Sequence, residues 1–283
     1  MSALAVGILL GLAAAAVFEV SYLLLTIEAR SVSVAPRPNA SFLARLVHRR
    51  RWVEAMALNG LAFALEIAAL ERASLLVIQP LLAVGLVLLV LLARAYLHEP
   101  VGGRQIAGAV LVAAGVTVVI VGAPSGTSRL HFDAASALVV LVLVAILGFP
   151  QLTDRGSDWR LVAAAAAGDT LVALGSNAVA AAWPDDVPVV IVSVAAVAIF
   201  GLTSTTSESA ALQRLPAFRV GPIVSAAQIT LPVLLVALLA HNRFSSAPLG
   251  GLLLAGGVAI VGIGAWLLSR HHTLPGERPR LQR

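Results

Sequence analysis

EIAALERASLLVIQPLLAVGLVLLVLLARAYLHEPVGGRQIAGAVLVAAGVTVVIVG, residues 66–122, is the stretch that decides the fold. It holds the end of one apolar run, a polar hinge at Glu71-Arg72, and two long apolar runs divided by His98-Glu99-Pro100. Shifted by 142 positions, so that 66 becomes 208, it returns without a gap. Glu66 falls on Glu208, AALER at 68–72 on AALQR at 210–214, Pro80 on Pro222, Gly108 on Gly250, Gly115 on Gly257 and Gly122 on Gly264. In a chain so rich in Ala and Leu, matches between small residues arise by chance, but ungapped agreement of Glu, Arg and Pro is harder to dismiss. The chain reads as an internal duplication.

The rest of the sequence continues the apolar pattern. Apolar residues make up 59% of the 283 positions and charged residues 12%, a balance far from that of an ordinary soluble domain. Crossing the hydrocarbon takes about 20 apolar residues per helix, and runs of that kind recur along the whole chain. An outer-membrane barrel would instead show alternating segments of about ten residues, which do not occur. The expected fold class is therefore an all-α polytopic membrane protein of about nine transmembrane helices arranged as an inverted-repeat bundle. Spans are predicted near 3–27, 52–71, 74–97, 101–122, 134–150, 160–182, 188–213, 218–241 and 248–269. The first lacks the basic flank and short apolar core of a signal peptide. Residues 1–133 form a first repeat of four helices, 134–150 a linking helix, 151–269 the second, inverted repeat, and 270–283 a disordered cytoplasmic tail.

Charge orients these spans. All the arginines except Arg72, Arg129 and Arg243 fall in alternate connections and the tail, so the N-terminus is expected outside and the C-terminus in the cytoplasm of a plasma (inner) membrane. The net charge of +5 does not point to nucleic acid, because the arginines sit between apolar runs rather than on one amphipathic face. Five spans separate the start of one copy from the start of the other, so the second enters from the opposite face. In the longest basic connection, 28–51, Phe42, Leu43, Leu46 and Val47 share one helical face. This is read as an interfacial helix touching anionic lipid, with a solvated loop as the alternative.

Within the repeat, a Pro-Leu helix, a Glu closing it at Tyr96-Leu97-His98-Glu99-Pro100, and a following helix with Gly108 and Gly115 resemble the drug/metabolite transporter superfamily in its EamA-type repeat. The likeness covers roughly residues 52–122 and 188–269. The tract from Trp52 through Gly60 to Val77-Ile78-Gln79-Pro80-Leu81 and Gly122-Ala123-Pro124 resembles the nine-helix NIPA-like magnesium transporters. The resemblance implies two intertwined, inverted repeats that open a central cavity to each side in turn. It implies transport of a small metabolite or drug-like solute or, in the second branch, of magnesium or another divalent cation.

Ionisable groups inside spans are costly and mark a pathway or a pair. Glu19 and Asp169 fall near the middle of the first and sixth spans, and Glu66 and Glu208 nearer the ends of the second and seventh. Glu19 and Asp169 read as pathway groups, or else as protonated carboxyls bonded between helices. Proton coupling and divalent-cation binding both suit such oxygens. Glu66 and Glu208 read as gate-lining or interfacial. Asn177, loosely aligned with the Glu19 region, and the amides Gln79 and Gln228 complete the candidate pathway. Thr203 to Ser207 either lines water or bonds back to the helix. Glu99 is read as the cap of the fourth span. The Gly108, Gly115, Gly250 and Gly257 series, supported by Gly256 and Gly262, is read as close helix packing.

Cysteine is absent, which excludes disulfides and thiol chemistry. No nucleophile-His-acid set, phosphate loop or zinc motif appears, so no enzyme activity and no cofactor are expected; any metal ligands stay unknown. The expected partners are a small-molecule or ion substrate and membrane lipids, with a homodimer left open. A membrane scaffold without transport activity is the reading from another class.

Overall fold

The computed structural model describes residues 3–34, 37–73, 75–122, 134–153, 158–182, 185–239 and 251–269. Among the described residues every regular element is helical. The order is α1 (Ala3–Ser31), α2 (Ala40–Val47), α3 (Arg50–Leu70), α4 (Leu75–Tyr96), α5 (Gly103–Gly122), α6 (Ala134–Leu152), α7 (Trp159–Ala182), α8 (Val187–Leu212), α9 (Ala217–Leu239) and α10 (Leu252–Ser269). All but α2 match the expected spans within a few residues. α1 runs further than expected, to Ser31, and α6 passes through Pro150 rather than ending there. The tail, 270–283, lies outside the described residues.

Among the described residues, five helices are long and apolar enough to cross a membrane by length and composition: α1, α3, α5, α8 and α10. The outward faces of α8 and of the shorter apolar helix α6 fit that environment. Ile191, Val192, Val194, Ile199 and Leu202 of α8 and Leu138, Leu141, Val142, Ile146 and Phe149 of α6 are exposed. Apolar faces of that extent are not left in water.

Small residues set the packing. α5 and α10 share the most extensive interface, and they run antiparallel. A Cβ added at Gly115 would lie 2.7 Å from the Val261 backbone nitrogen, and one added at Gly257 would lie 2.7 Å from that of Val119. One at Gly122 would meet the Leu254 nitrogen at 2.6 Å, and one at Gly264 the Val112 nitrogen at 2.8 Å. Only glycine lets the two backbones approach so closely. Gly256 and Gly262 have open space around them, so these two, expected to support the packing, take no part in it. Gly250 lies outside the described residues.

On one side of this seam α1 packs on α3 and α4, and α4 on α5; on the other, α7 packs on α8 and α9, and α9 on α10. α6 lies against α7 through Leu143, Leu147, Ala164 and Ala167.

α2 departs from the expectation of a lipid-facing helix. It is helical and amphipathic, capped by the Asn39 side chain on Phe42 N at 3.1 Å, but Phe42 and Leu46 are fully buried in the main core. The apolar face covers Trp52 and the end of α1, where burial recovers roughly 1.5–3 kcal/mol per large side chain. Of the four apolar residues on that face, Val47 remains exposed.

Candidate functional site

Three carboxyl side chains converge where α1, α7 and α8 come together. Glu19 of α1 is 7% exposed and lies across Gly85 of α4, where an added Cβ would sit 2.9 Å from Glu19 Oε1. Gly85 thus makes room for the carboxyl. One turn further along α1, the Tyr22 ring rests over Gly221 of α9, its Cε1 and Cζ each 3.2 Å from an added Cβ.

Across the bundle, Gly168 brings α7 against α8, with a Cβ there only 2.6 Å from Ser204 Cβ. The next residue, Asp169, accepts a hydrogen bond from Ser204 Oγ at 2.6 Å, and the same hydroxyl lies 2.8 Å from the Ala165 carbonyl. Glu208 follows Ser204 by one turn. It faces the buried Tyr22 hydroxyl, and the charges of Asp169 and Glu19 both reach it. The Tyr22 hydroxyl is close to that carboxyl without the geometry of a formed hydrogen bond.

Glu19 and Asp169 therefore belong to one constellation, and Glu208 joins them instead of lining a helix end. Its sequence twin, Glu66, is half-buried near the end of α3 that lies away from Arg30 and Glu99. Gln228 is half-buried in α9. Gln79 lies in α4 and Asn177 in α7, with side chains outside the described part of the structure.

The hydroxyl run divides by function. Thr203, Thr205, Thr206 and Ser207 bond back to carbonyls of α8 itself, whereas Ser204 crosses to α7. Ser207 also accepts from Gln151 of α6 at 3.0 Å.

Toward one end of the bundle the constellation is closed off. Glu99, read from sequence as the cap of the fourth span, caps α9 instead: its carboxylate accepts from Ala217 N at 2.8 Å and Phe218 N at 3.1 Å. The fourth span, α5, has its own device, Gln105 reaching back to Gly102 N at 3.0 Å. The reason is the turn after α4. His98 adopts φ 54°, and Glu99 N returns to the Ala93 carbonyl at 3.2 Å, a left-handed helix stop that aims the Glu99 side chain at the neighbouring helix.

Arg30 completes this closure, its Nη2 lying 2.5 Å from Glu99 Oε1 and its Nε 2.9 Å from the Leu212 carbonyl. Gln213 donates to Ala29 O at 2.7 Å and Val32 O at 3.1 Å. This latch ties the end of α1 and the α4–α5 turn to the α8–α9 turn. Sequence reasoning missed Tyr22, Arg30 and Gln213. Tyr22 stands one turn from Glu19 on the same face, and Gln213 is where the two copies differ, opposite Glu71; both were available as signals.

Chemically, the constellation offers carboxyl oxygens, a phenol and a hydroxyl, groups that take up protons or bind cations. Among the described residues, no three His, Asp or Glu side chains are placed to hold a single metal ion. No family model, curated protein or solved structure matches the chain.

Proposed function

We propose that the chain is a secondary transporter of the drug/metabolite type, moving a small metabolite or drug-like solute across the plasma membrane by alternating access coupled to proton exchange. The observation that carries this reading is the convergence of Glu19, Asp169 and Glu208 from the two halves of the bundle, directly beyond a polar latch that shuts one end. Buried ionisable groups are retained in a membrane where they serve a path. A scaffold has no use for three carboxyls in one place.

Two further observations support the architecture. The seam contacts come in pairs related by the same 142-residue shift as the sequence: Gly115 with Val261 and Gly257 with Val119, Gly122 with Leu254 and Gly264 with Val112. Exchange of two antiparallel helices by one rotation needs an axis across them, which for membrane-spanning helices means an inverted repeat. In addition, Arg30, Arg45, Arg51, Arg104, Arg160 and Arg214 gather at the latched end while Arg72 lies at the other. That end is assigned to the cytoplasm, and the latched form is closed to it.

In the cycle, substrate enters from the opposite side and reaches Asp169 and Glu208. Tyr22 stands between Glu208 and the latch, so a proton passing from Glu208 toward Glu99 would loosen Arg30 and release the end of α1. The test is flux into proteoliposomes under an imposed pH gradient across a panel of organic solutes and divalent cations. Asp169→Asn and Glu19→Gln are each expected to lower proton-driven uptake at least about tenfold while the protein stays folded. Unchanged uptake and pH dependence in both would sink the proposed site. Absence of flux for every solute and ion would favour the scaffold.

A further inference from the structure

Beside the latch, on the outer surface, α2 and the end of α1 enclose an open groove of about 470 Å³ lined by Val32, Ser33, Ala44, Arg45, His48 and Arg49. Its chemistry is one-sided. Arg45 lies over the Phe42 ring, 5.7 Å from its centroid, and that ring is fixed in the core. His48 Nδ1 is 2.6 Å from the Ala44 carbonyl, which fixes the ring at the edge of the groove, while the two guanidinium groups supply its donors. Arg49 opens α3 without a side-chain cap.

Among the described residues none of these three is paired with a carboxylate, whereas their neighbours are: Arg50 with Glu54 at 2.8 Å and Arg51 with Glu28 at 3.9 Å. Several donors with no acceptor of opposite charge match an anion bearing several oxygens. The groove lies at the ends of the long apolar helices, at the level where headgroups sit, and exposed Val34 and Val47 flank it, offering contact to acyl chains.

We propose that this groove binds the phosphate of an anionic phospholipid headgroup. The basic face of α2 thus takes the role that its apolar face, turned into the core, does not. The wall of the groove is part of the latch, since the Val32 and Ser33 carbonyls accept from Gln213 at 3.1 and 3.5 Å. A bound headgroup therefore braces the segment that closes the cytoplasmic end. The inference rests on the membrane-embedded fold, not on transport, and its test reads no flux.

The full chain, purified in detergent, would be titrated with phosphatidylglycerol, phosphatidylcholine or inorganic phosphate, following thermal stability and lipid retained in native mass spectra. Phosphatidylglycerol is expected to be retained and to raise the melting temperature; phosphatidylcholine and phosphate are not. Arg45→Gln with Arg49→Gln should cut retention at least about tenfold, as should Ser33→Glu, which places a negative charge in the wall. Arg50→Gln with Arg94→Gln removes as much charge from the same end and should leave retention nearly unchanged. Equal loss in both arginine pairs would reduce the effect to diffuse surface charge and overturn the site. Equal stabilisation by phosphate alone would overturn the lipid assignment.

Discussion

The α5–α10 seam and the crossing of α1, α7 and α8 are both places where the halves of the molecule are held close, and they are built in opposite ways. The seam is symmetric and nearly without polar side chains. The contacts of Gly115 and Gly122 on one helix have their images at Gly257 and Gly264 on the other, and backbone meets backbone. The crossing is asymmetric and polar: Asp169 accepts from Ser204, Glu208 faces Tyr22, and Glu19 lies over Gly85. Small residues give a rigid axis because close packing tolerates no change of volume. Carboxyls, unlike glycine contacts, can take up and release protons. The seam glycines fall inside the duplicated stretch, whereas Glu19 and Asp169 lie outside it.

The sharpest way to break this contrast is at the axis. In Gly115→Leu even the first added carbon lies 2.7 Å from a backbone nitrogen and 2.8 Å from Val261 Cγ2, so α10 must move. Overpacking of that kind costs about 1–3 kcal/mol or more, and a large fall in melting temperature and in folded yield is expected. Gly256→Leu on the same helix, where nothing lies within 4 Å, should change melting by no more than about 0.5 kcal/mol. If both behave alike, the seam is not the axis.

A smaller effect is expected at the latch. Glu99→Gln keeps the shape of the side chain but removes the charge that Arg30 and the α9 N-terminus share, a loss of about 1–3 kcal/mol. Cysteine labelling of a Ser33→Cys reporter should become faster in that variant from the latched side. Unchanged labelling would mean that the latch does not control opening. The smallest effect belongs to Ser204→Ala, which leaves Asp169 in place but without its 2.6 Å hydrogen bond. A stability change near 1 kcal/mol, with an altered pH profile of uptake, would mark Ser204 as a positioning residue; a stability change alone would make it structural.

Much of the helical layout was legible, because an apolar run of membrane length leaves the backbone no option but to bond within itself. The signal for a repeat in the sequence is the recurrence of Glu, Arg and Pro at a constant offset. Within the site, Glu19 and Asp169 could be found as charges without a reason to be there. Glu208 was placed too near the surface, since depth was counted from the helix end, and α8 is tucked behind α1 and Tyr22. Glu99 was misassigned for another reason: local rules name the nearest helix as the one capped, whereas the left-handed turn at His98 redirects the side chain across the bundle. α2 misled through its pattern. An amphipathic helix shows that one face is covered without saying whether lipid or protein covers it.

The cap at Glu99 also bears on how the molecule is assembled. α9 receives its N-terminal acceptor from a residue 118 positions upstream, synthesised and inserted well before its partner exists. Until Ala217 and Phe218 emerge, that carboxylate has Arg30 alone and must wait at the aqueous face. The first half thus holds an acceptor whose backbone donors only the second half supplies, and the α9 terminus is completed only by the first. The two halves are expected to mature together as one folding unit, and neither alone should outlast cellular quality control.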